Sequence, residues 1–247
     1  MSTQEMTKEK SRTFIRFDVS ARIEHALLII SFGMLCLTGL PQKYNTYPWA
    51  QWLMSVMGGI RTVQTLHHIF AWMMGIETAY HVFALIRSVF IKKSPNRFSM
   101  IPGLSDVTDA LREVGHNLGL VKSPPKYDRF NWKEKLEYWA LIWGTGVMII
   151  TGALLMWPEI VTRWLPGYFI PAAKAAHGGE ALLAFLAILI WHFYNAHMAQ
   201  GKMPVDTTMF TGKVAEERMK HEYPLEYERI LAREKKAEQK QTKRQQA

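Results

Sequence analysis

Long uncharged runs alternate along the chain with short charged ones. Residues 26–42 and 138–158 carry no Asp, Glu, Lys or Arg, 62–86 carry only Glu77, and 175–201 carry only Glu180. Each run approaches the ~20 apolar residues needed to cross a hydrocarbon core of ~30 Å. The pattern predicts an all-α membrane protein, a four-transmembrane-helix bundle with spans at about 22–40, 60–90, 135–157 and 172–200. Pro41 is expected to stop the first span, since proline cannot continue a helix, and Trp157-Pro158 the third. Tyr44 to Trp49, followed by Trp52, reads as a short outer loop whose aromatics suit the membrane interface. Between spans 2 and 3, Val107, Ala110, Leu111, Val114 and Leu118 fall at helical spacing. They predict an amphipathic helix over 104–118 on the inner membrane surface, broken off by Ser123-Pro124-Pro125. Residues 1–20 read as a solvated cytoplasmic tail, 21–201 as the membrane domain, and 202–247 as a polar cytoplasmic tail, partly helical over 213–245. There is no internal repeat.

Mean hydropathy is only -0.07, a value typical of soluble proteins, but the average hides how the charge is clustered. Lys and Arg number 5 in 1–24, 2 in 41–61, 10 in 87–135, 2 in 158–176 and 11 in 201–247. Basic residues favour the cytoplasmic side, so four crossings with both termini inside are expected. The net charge of +9 then reflects membrane topology and anionic headgroups, not nucleic acid. The first apolar run starts near residue 26 behind a mixed-charge segment, which is not the pattern of a signal peptide. Cys36 is the only cysteine, which excludes an internal disulfide, a four-cysteine zinc site and an iron–sulfur cluster held by this chain alone.

Six histidines lie in or beside the apolar runs: His25, His67, His68, His81, His177 and His192. A titratable ring inside a bilayer is costly and usually marks function, and neutral imidazole is a standard axial ligand of haem iron. His177 and His192 share span 4. Their 15-residue separation places them roughly 22 Å apart along a helix and about 60° apart around it, both toward one interior. His25 opens span 1 at the depth of His192, and His67 and His68 open span 2 at the depth of His177. Depth therefore pairs His25 with His192 at the inner face, and His67 or His68 with His177 at the outer face. Two b-type haems stacked across the bilayer need this arrangement. His81 stands apart: it replaces His25 as an inner ligand, contacts a propionate, serves a further cofactor, or simply pairs with Glu77 one turn before it. Gly33, Gly75, Gly144, Gly146, Gly178 and Gly179 let a macrocycle or a neighbouring helix come close.

The motifs around these histidines resemble the cytochrome b (gamma) subunit of membrane-bound formate dehydrogenase and related di-haem membrane cytochromes b. Arg22-Ile23-Glu24-His25 resembles the family's opening Arg-x-x-His, and Leu66-His67 its Leu-His at span 2. Phe130-Asn131-Trp132-Lys133-Glu134-Lys135 is similar to its Tyr-Asn-x-x-Gln-Lys run, and His177 to His192 resembles its paired ligands. Gly212-Lys213-Val214 and Lys220-His221-Glu222-Tyr223-Pro224 resemble elements of its tail. The resemblance implies that His67, not His68, is the outer ligand opposite His177, with His25 and His192 holding the inner haem. It also implies a menaquinone or ubiquinone site at the inner face, with Asn131 as its amide contact, although asparagine is also a favoured helix cap. Three departures stand out: the span 4 spacing is 15 where the family has 14, His81 has no counterpart, and Glu134 replaces a glutamine.

The expected function is that of a membrane-anchoring electron-transfer subunit in a bacterial or archaeal cytoplasmic membrane. It links quinone at the inner face to an iron–sulfur or multihaem c-type subunit at the outer face, with a catalytic subunit beyond. Four spans leave little room for a soluble catalytic domain. The competing readings are a proton-coupled transporter using Glu77, His81 and the other histidines as a relay, which lacks the inverted repeat and broken helices expected of one, and a haemless anchor, which leaves the depth-matched histidines unexplained.

Overall fold

The computed structural model describes residues 12–93, 96–199, 202–203 and 205–245. The first eleven residues of the expected N-terminal tail, the expected end of span 4 at 200 and that of the membrane domain at 201 lie outside the described residues. Among the described residues, four helices are long and apolar enough to cross a membrane: Val19–Lys43, Ile60–Lys92, Trp132–Met156 and Phe169–Met198. The chain is therefore an all-α, multi-pass bundle as expected, with one short β-ribbon besides. Two compact units divide it: 19–97 with 137–206, and 12–18 with 98–136 and 207–245.

The first unit is the helix bundle. Its α1 (Val19–Lys43) packs on α3 (Ile60–Ile86) and on α7 (Phe169–Leu186), with α2 (Pro48–Val56) between α1 and α3. The bundle is apolar outside and mixed inside: Ser31, Thr38 and Thr151 are buried beside Val63, Met74 and Ala173, while Trp72, Ile76, Phe83, Trp143, Ile150, Leu183 and Ile190 are exposed. An apolar exterior suits a solvent of lipid tails, in which polar side chains must find partners inside.

Two expectations about its outer end change. Pro41 does not stop α1, which runs on to Lys43 with Pro41 buried inside it. Proline removes one backbone donor and crowds the preceding turn, and so close to the helix end little remains to disrupt. The expected outer loop also contains a helix, α2, which starts at Pro48. Proline's fixed φ suits the first helical position, where its missing N–H costs nothing.

The second unit is built from three separate stretches. Strand β1 (Thr13–Ile15) pairs antiparallel with β2 (Lys213–Ala215), Phe14 opposite Val214. Helix α4 (Leu104–Asn117) is the expected amphipathic helix, with Leu104, Val107, Leu111 and Val114 exposed along one stripe. It ends at Gly119, whose φ of 74° is left-handed, several residues before the expected Pro break. Leu120 N–H bonds Gly115 C=O across that turn, a glycine-based helix stop. The one-turn helix α8 (Thr208–Thr211) precedes β2, and helices α9 (Glu216–Glu222) and α10 (Pro224–Gln245) follow it. Phe14, Val214, Met219 and Tyr223 form the core.

An ion cluster sits in this unit. Arg16 Nη1 donates to Glu226 Oε2 at 2.7 Å and Arg129 Nη1 to Glu226 Oε1 at 2.6 Å, and Arg16 and Glu226 are only 3% and 2% exposed. Arg16 lies over the Tyr223 ring at 3.8 Å. Phe14 and Arg16 are thus anchored, so this stretch of the chain is more than a solvated tail.

Candidate functional site

After α5 (Trp132–Met156) and the one-turn α6 (Pro158–Val161), α7 and its continuation carry His177 and His192 toward His67 on α3 and His25 on α1. The rings of His67 and His177 have centroids 6.3 Å apart with planes at 70°. The rings of His25 and His192 are 6.4 Å apart with planes at 44°. His68 is not in either pair.

The hydrogen bonds fix which ring nitrogen each histidine presents. Thr38 Oγ1 spends its one proton on Met34 C=O at 2.7 Å, so it accepts from His67 Nδ1–H at 2.9 Å. Thr151 repeats the arrangement, donating to Val147 C=O at 2.6 Å and accepting from His177 Nδ1–H at 2.9 Å. His192 Nδ1–H donates to Glu137 Oε2 at 2.7 Å, because a carboxylate only accepts. In these three rings the proton is on Nδ1 and the lone pair on Nε2, the form in which imidazole binds a metal.

Glycines give two of the rings their space. A Cβ on Gly39 would stand 3.0 Å from His67 Cε1, and one on Gly152 would stand 3.3 Å from His177 Cε1. Of the six glycines singled out in the sequence, Gly33, Gly75, Gly146 and Gly179 have no atom within 4 Å of the Cβ position, Gly144 faces the Glu180 carboxylate, and Gly178 faces Lys43 Nζ.

A π-helical segment, Ala187–His192, continues α7. Its wider turns hold about one residue more than an α-turn. The 15-residue spacing of His177 and His192 is thereby brought to the angular equivalent of 14, and His192 faces His25. A second π segment, Tyr194–Met198, follows it.

His81 is fully engaged by protein. Its Nδ1–H donates to Glu24 Oε2 at 2.7 Å, and its Nε2 accepts from Tyr138 O–H at 3.0 Å. Both ring nitrogens of His81 therefore have protein partners. Its partner is Glu24, not Glu77; Glu77 accepts from Ser31 at 3.3 Å. Ser20 donates to Glu24 at 3.1 Å and meets Tyr80 Oη at 3.0 Å.

Asn131 begins α5. Its Oδ1 accepts from Glu134 N–H at 2.9 Å, and Glu134 Oε2 accepts from Asn131 N–H at 2.8 Å, a reciprocal cap. The cap uses the amide oxygen and leaves Nδ2 to donate elsewhere. Glu134 Oε1 accepts from Tyr223 O–H at 2.8 Å, and burial first, then Glu134, holds that phenol well above its usual range.

The donor set can be tested against an iron porphyrin. Two metal–nitrogen bonds of about 2 Å, with about 1.1 Å from nitrogen to ring centre, would separate two ring centroids by about 6.2 Å. Both pairs match that spacing. Among the described residues no cluster of three or more His, Cys, Asp or Glu is placed to hold a metal. A metal held by two imidazoles must bring its other ligands, as haem iron does.

Fold and site together define a four-span membrane protein with two histidine pairs in its interior, near opposite ends of the bundle. Over nearly its whole length the chain is similar to membrane cytochrome b subunits. It aligns over 233 residues, 93% of this chain and 97% of the relative, at 24% identity with the cytochrome b556(Fdn) subunit of nitrate-inducible formate dehydrogenase from Escherichia coli K12. The cytochrome b556(fdo) subunit of the same organism aligns at 23% identity over 230 residues, 92% of this chain and 98% of the relative. The formate dehydrogenase cytochrome b556 subunit of Haemophilus influenzae aligns at 24% over 189 residues, 76% of this chain and 73% of the relative. No protein-family model matches the chain.

Proposed function

We propose that this chain is the membrane-anchoring, di-haem b cytochrome subunit of a respiratory oxidoreductase. It exchanges electrons between a redox partner at the outer face and the quinone pool at the inner face of a bacterial cytoplasmic membrane, with both termini inside. The observation that carries the reading is the pair of facing histidine pairs, with centroids 6.3 and 6.4 Å apart. His67 and His177 hold the outer haem, and His25 and His192 the inner one. Iron in these sites supplies one-electron exchange. The chain's own residues position the rings: Thr38, Thr151 and Glu137 fix three tautomers, and the backbone at Gly39 and Gly152 leaves room for two rings.

Asn131, through its Nδ2 donor, is the residue proposed to contact menaquinone or ubiquinone, an assignment that rests on resemblance. The outer partner is an iron–sulfur or multihaem c-type subunit, with a catalytic subunit beyond it. The names of the similar chains, which are subunits of formate dehydrogenases, support assembly with other subunits. Reduced-minus-oxidised spectra and iron content of the purified chain test the reading. Two haems per chain are expected, with His177→Ala and His192→Ala each losing one. A chain without b-type haem, or two variants with full haem content, would overturn it.

A further inference from the structure

The two histidine pairs differ in what holds their ring protons. At the His67–His177 pair both Nδ1–H groups meet uncharged hydroxyls, Thr38 and Thr151, each 2.9 Å away. At the His25–His192 pair the Nδ1–H of His192 meets the Glu137 carboxylate at 2.7 Å. Glu137 and His192 are 25% and 34% exposed. The contact is a charge-assisted hydrogen bond, shorter and stronger than a neutral one. A carboxylate behind a ligating imidazole makes the ring a stronger electron donor, and stronger donation favours the oxidised, more positive iron. Hydrogen bonding behind the axial ligand is one of the protein's levers on haem potential.

We infer that Glu137 makes the two haem sites electrochemically unequal, holding the His25–His192 site at the lower reduction potential. The inference rests on the di-haem reading above. Charged groups lie near both pairs, and among the described residues Glu137 is the one bonded to a ring of either: Arg22 stands one turn before His25, and Lys202 Nζ bonds Asn195 C=O beyond His192. Lys43 Nζ reaches Gly178, beside His177, and Glu180 reaches Gly144; they oppose each other in sign near the outer pair, and neither takes a ring proton. The Glu24 carboxylate, next to His25, is bound to His81 and Ser20. An electron is therefore more stable on the outer site, and the single step from the outer to the inner site is uphill by the difference between their midpoints. Glu137 acts here as a positioning and tuning residue, through His192.

Redox potentiometry of the full-length protein in detergent, followed in the b-haem absorption band, tests this. Two one-electron midpoints are expected. Glu137→Gln keeps an acceptor but removes the charge. It should raise only the lower midpoint, by about a tenfold change in the oxidised-to-reduced ratio, ~59 mV for one electron. Electron paramagnetic resonance should show one low-spin ferric signal changed and the other unchanged. If Glu137→Gln loses a haem, Glu137→Thr, which copies the hydroxyl of the outer pair, is titrated instead with the same expectation. His67→Ala, lacking the outer haem, should retain the lower midpoint. Two haems whose midpoints ignore both Glu137 substitutions, or a His67→Ala protein that retains the higher midpoint, overturn the inference and leave the di-haem reading standing. Absence of haem from the wild type overturns that reading instead.

Discussion

At the scale of single residues, the threonines are as informative as the histidines. Thr38 and Thr151 each hand their own proton to the preceding helical turn and so can only accept from the ring. Removing that acceptor strands a buried Nδ1–H, and outer partners of metal-binding histidines typically govern affinity by 10- to 100-fold. We expect Thr151→Val to weaken haem retention at the outer site by roughly tenfold and leave the inner site unchanged. Stepwise haem loss to an apoprotein acceptor, followed spectrally, checks this, and Thr151→Ser should behave as wild type. The histidines were legible in the sequence because imidazole in an apolar run is rare. The threonines were not, since a threonine in a membrane helix can satisfy itself on its own backbone. A signal was nevertheless present. Thr38-Gly39 and Thr151-Gly152 are the same dipeptide in spans 1 and 3, the threonine taking the ring proton and the glycine making room for the ring. Glu137 was hidden among the charges that open span 3, and only the fold brings it to His192.

At the scale of elements, apolar periodicity placed all four spans and the amphipathic helix within a few residues. What it missed was set by backbone bonding. The helix α2 over Pro48–Val56, the run of α1 through Pro41 and the Gly119 stop depend on local geometry that hydropathy does not encode. The π segment Ala187–His192 is the instructive case. Read as a regular helix, a 15-residue spacing points His192 about one residue's rotation, ~100°, from the direction that a 14-residue spacing gives; the wider turn brings the two directions together. Deleting Ile188 should convert the segment to α-helix and keep both haems, because a 14-residue α-helical spacing gives the same direction. Inserting one alanine after Ile188 should rotate His192 away and abolish the inner haem signal. Reduced-minus-oxidised spectra of the two variants decide the matter, and loss of haem on deletion would count against the π segment's role.

At the scale of the whole molecule, the unit built from 12–18, 98–136 and 207–245 carries its own acid sensitivity. Burial alone would raise the Glu113 carboxyl, but hydrogen bonds from Lys133, Tyr127 and Trp132 outweigh it and hold the group below its ordinary 4.5. A carboxyl depressed on folding adds stability above its unfolded value, and that stability is lost as pH falls through the folded one. Acidification below about pH 4.5 should therefore loosen this unit. Fluorescence of the tryptophans, with Trp132 bonded directly to Glu113, should report the change, and Glu113→Gln should flatten its pH dependence. Helix α4 and the helical tail of this unit were legible in the sequence, but the way its stretches join was not. Its three stretches are polar and distant from one another, and the ion cluster of Arg16, Arg129 and Glu226 shows no periodicity.

The ribbon that joins Phe14 to Val214 also sets an order of events during synthesis. Contacts between residues this far apart in sequence form late, because loop closure must precede any gain from them. A ribosome releases β1 first, yet its partner strand and the Glu226 that neutralises Arg16 emerge only after all four spans have been made. Until then Phe14 and Arg16 wait without the groups that bury them. Completion of the ribbon therefore follows translation of the last span, and a chain arrested before residue 213 lacks the strand that closes it.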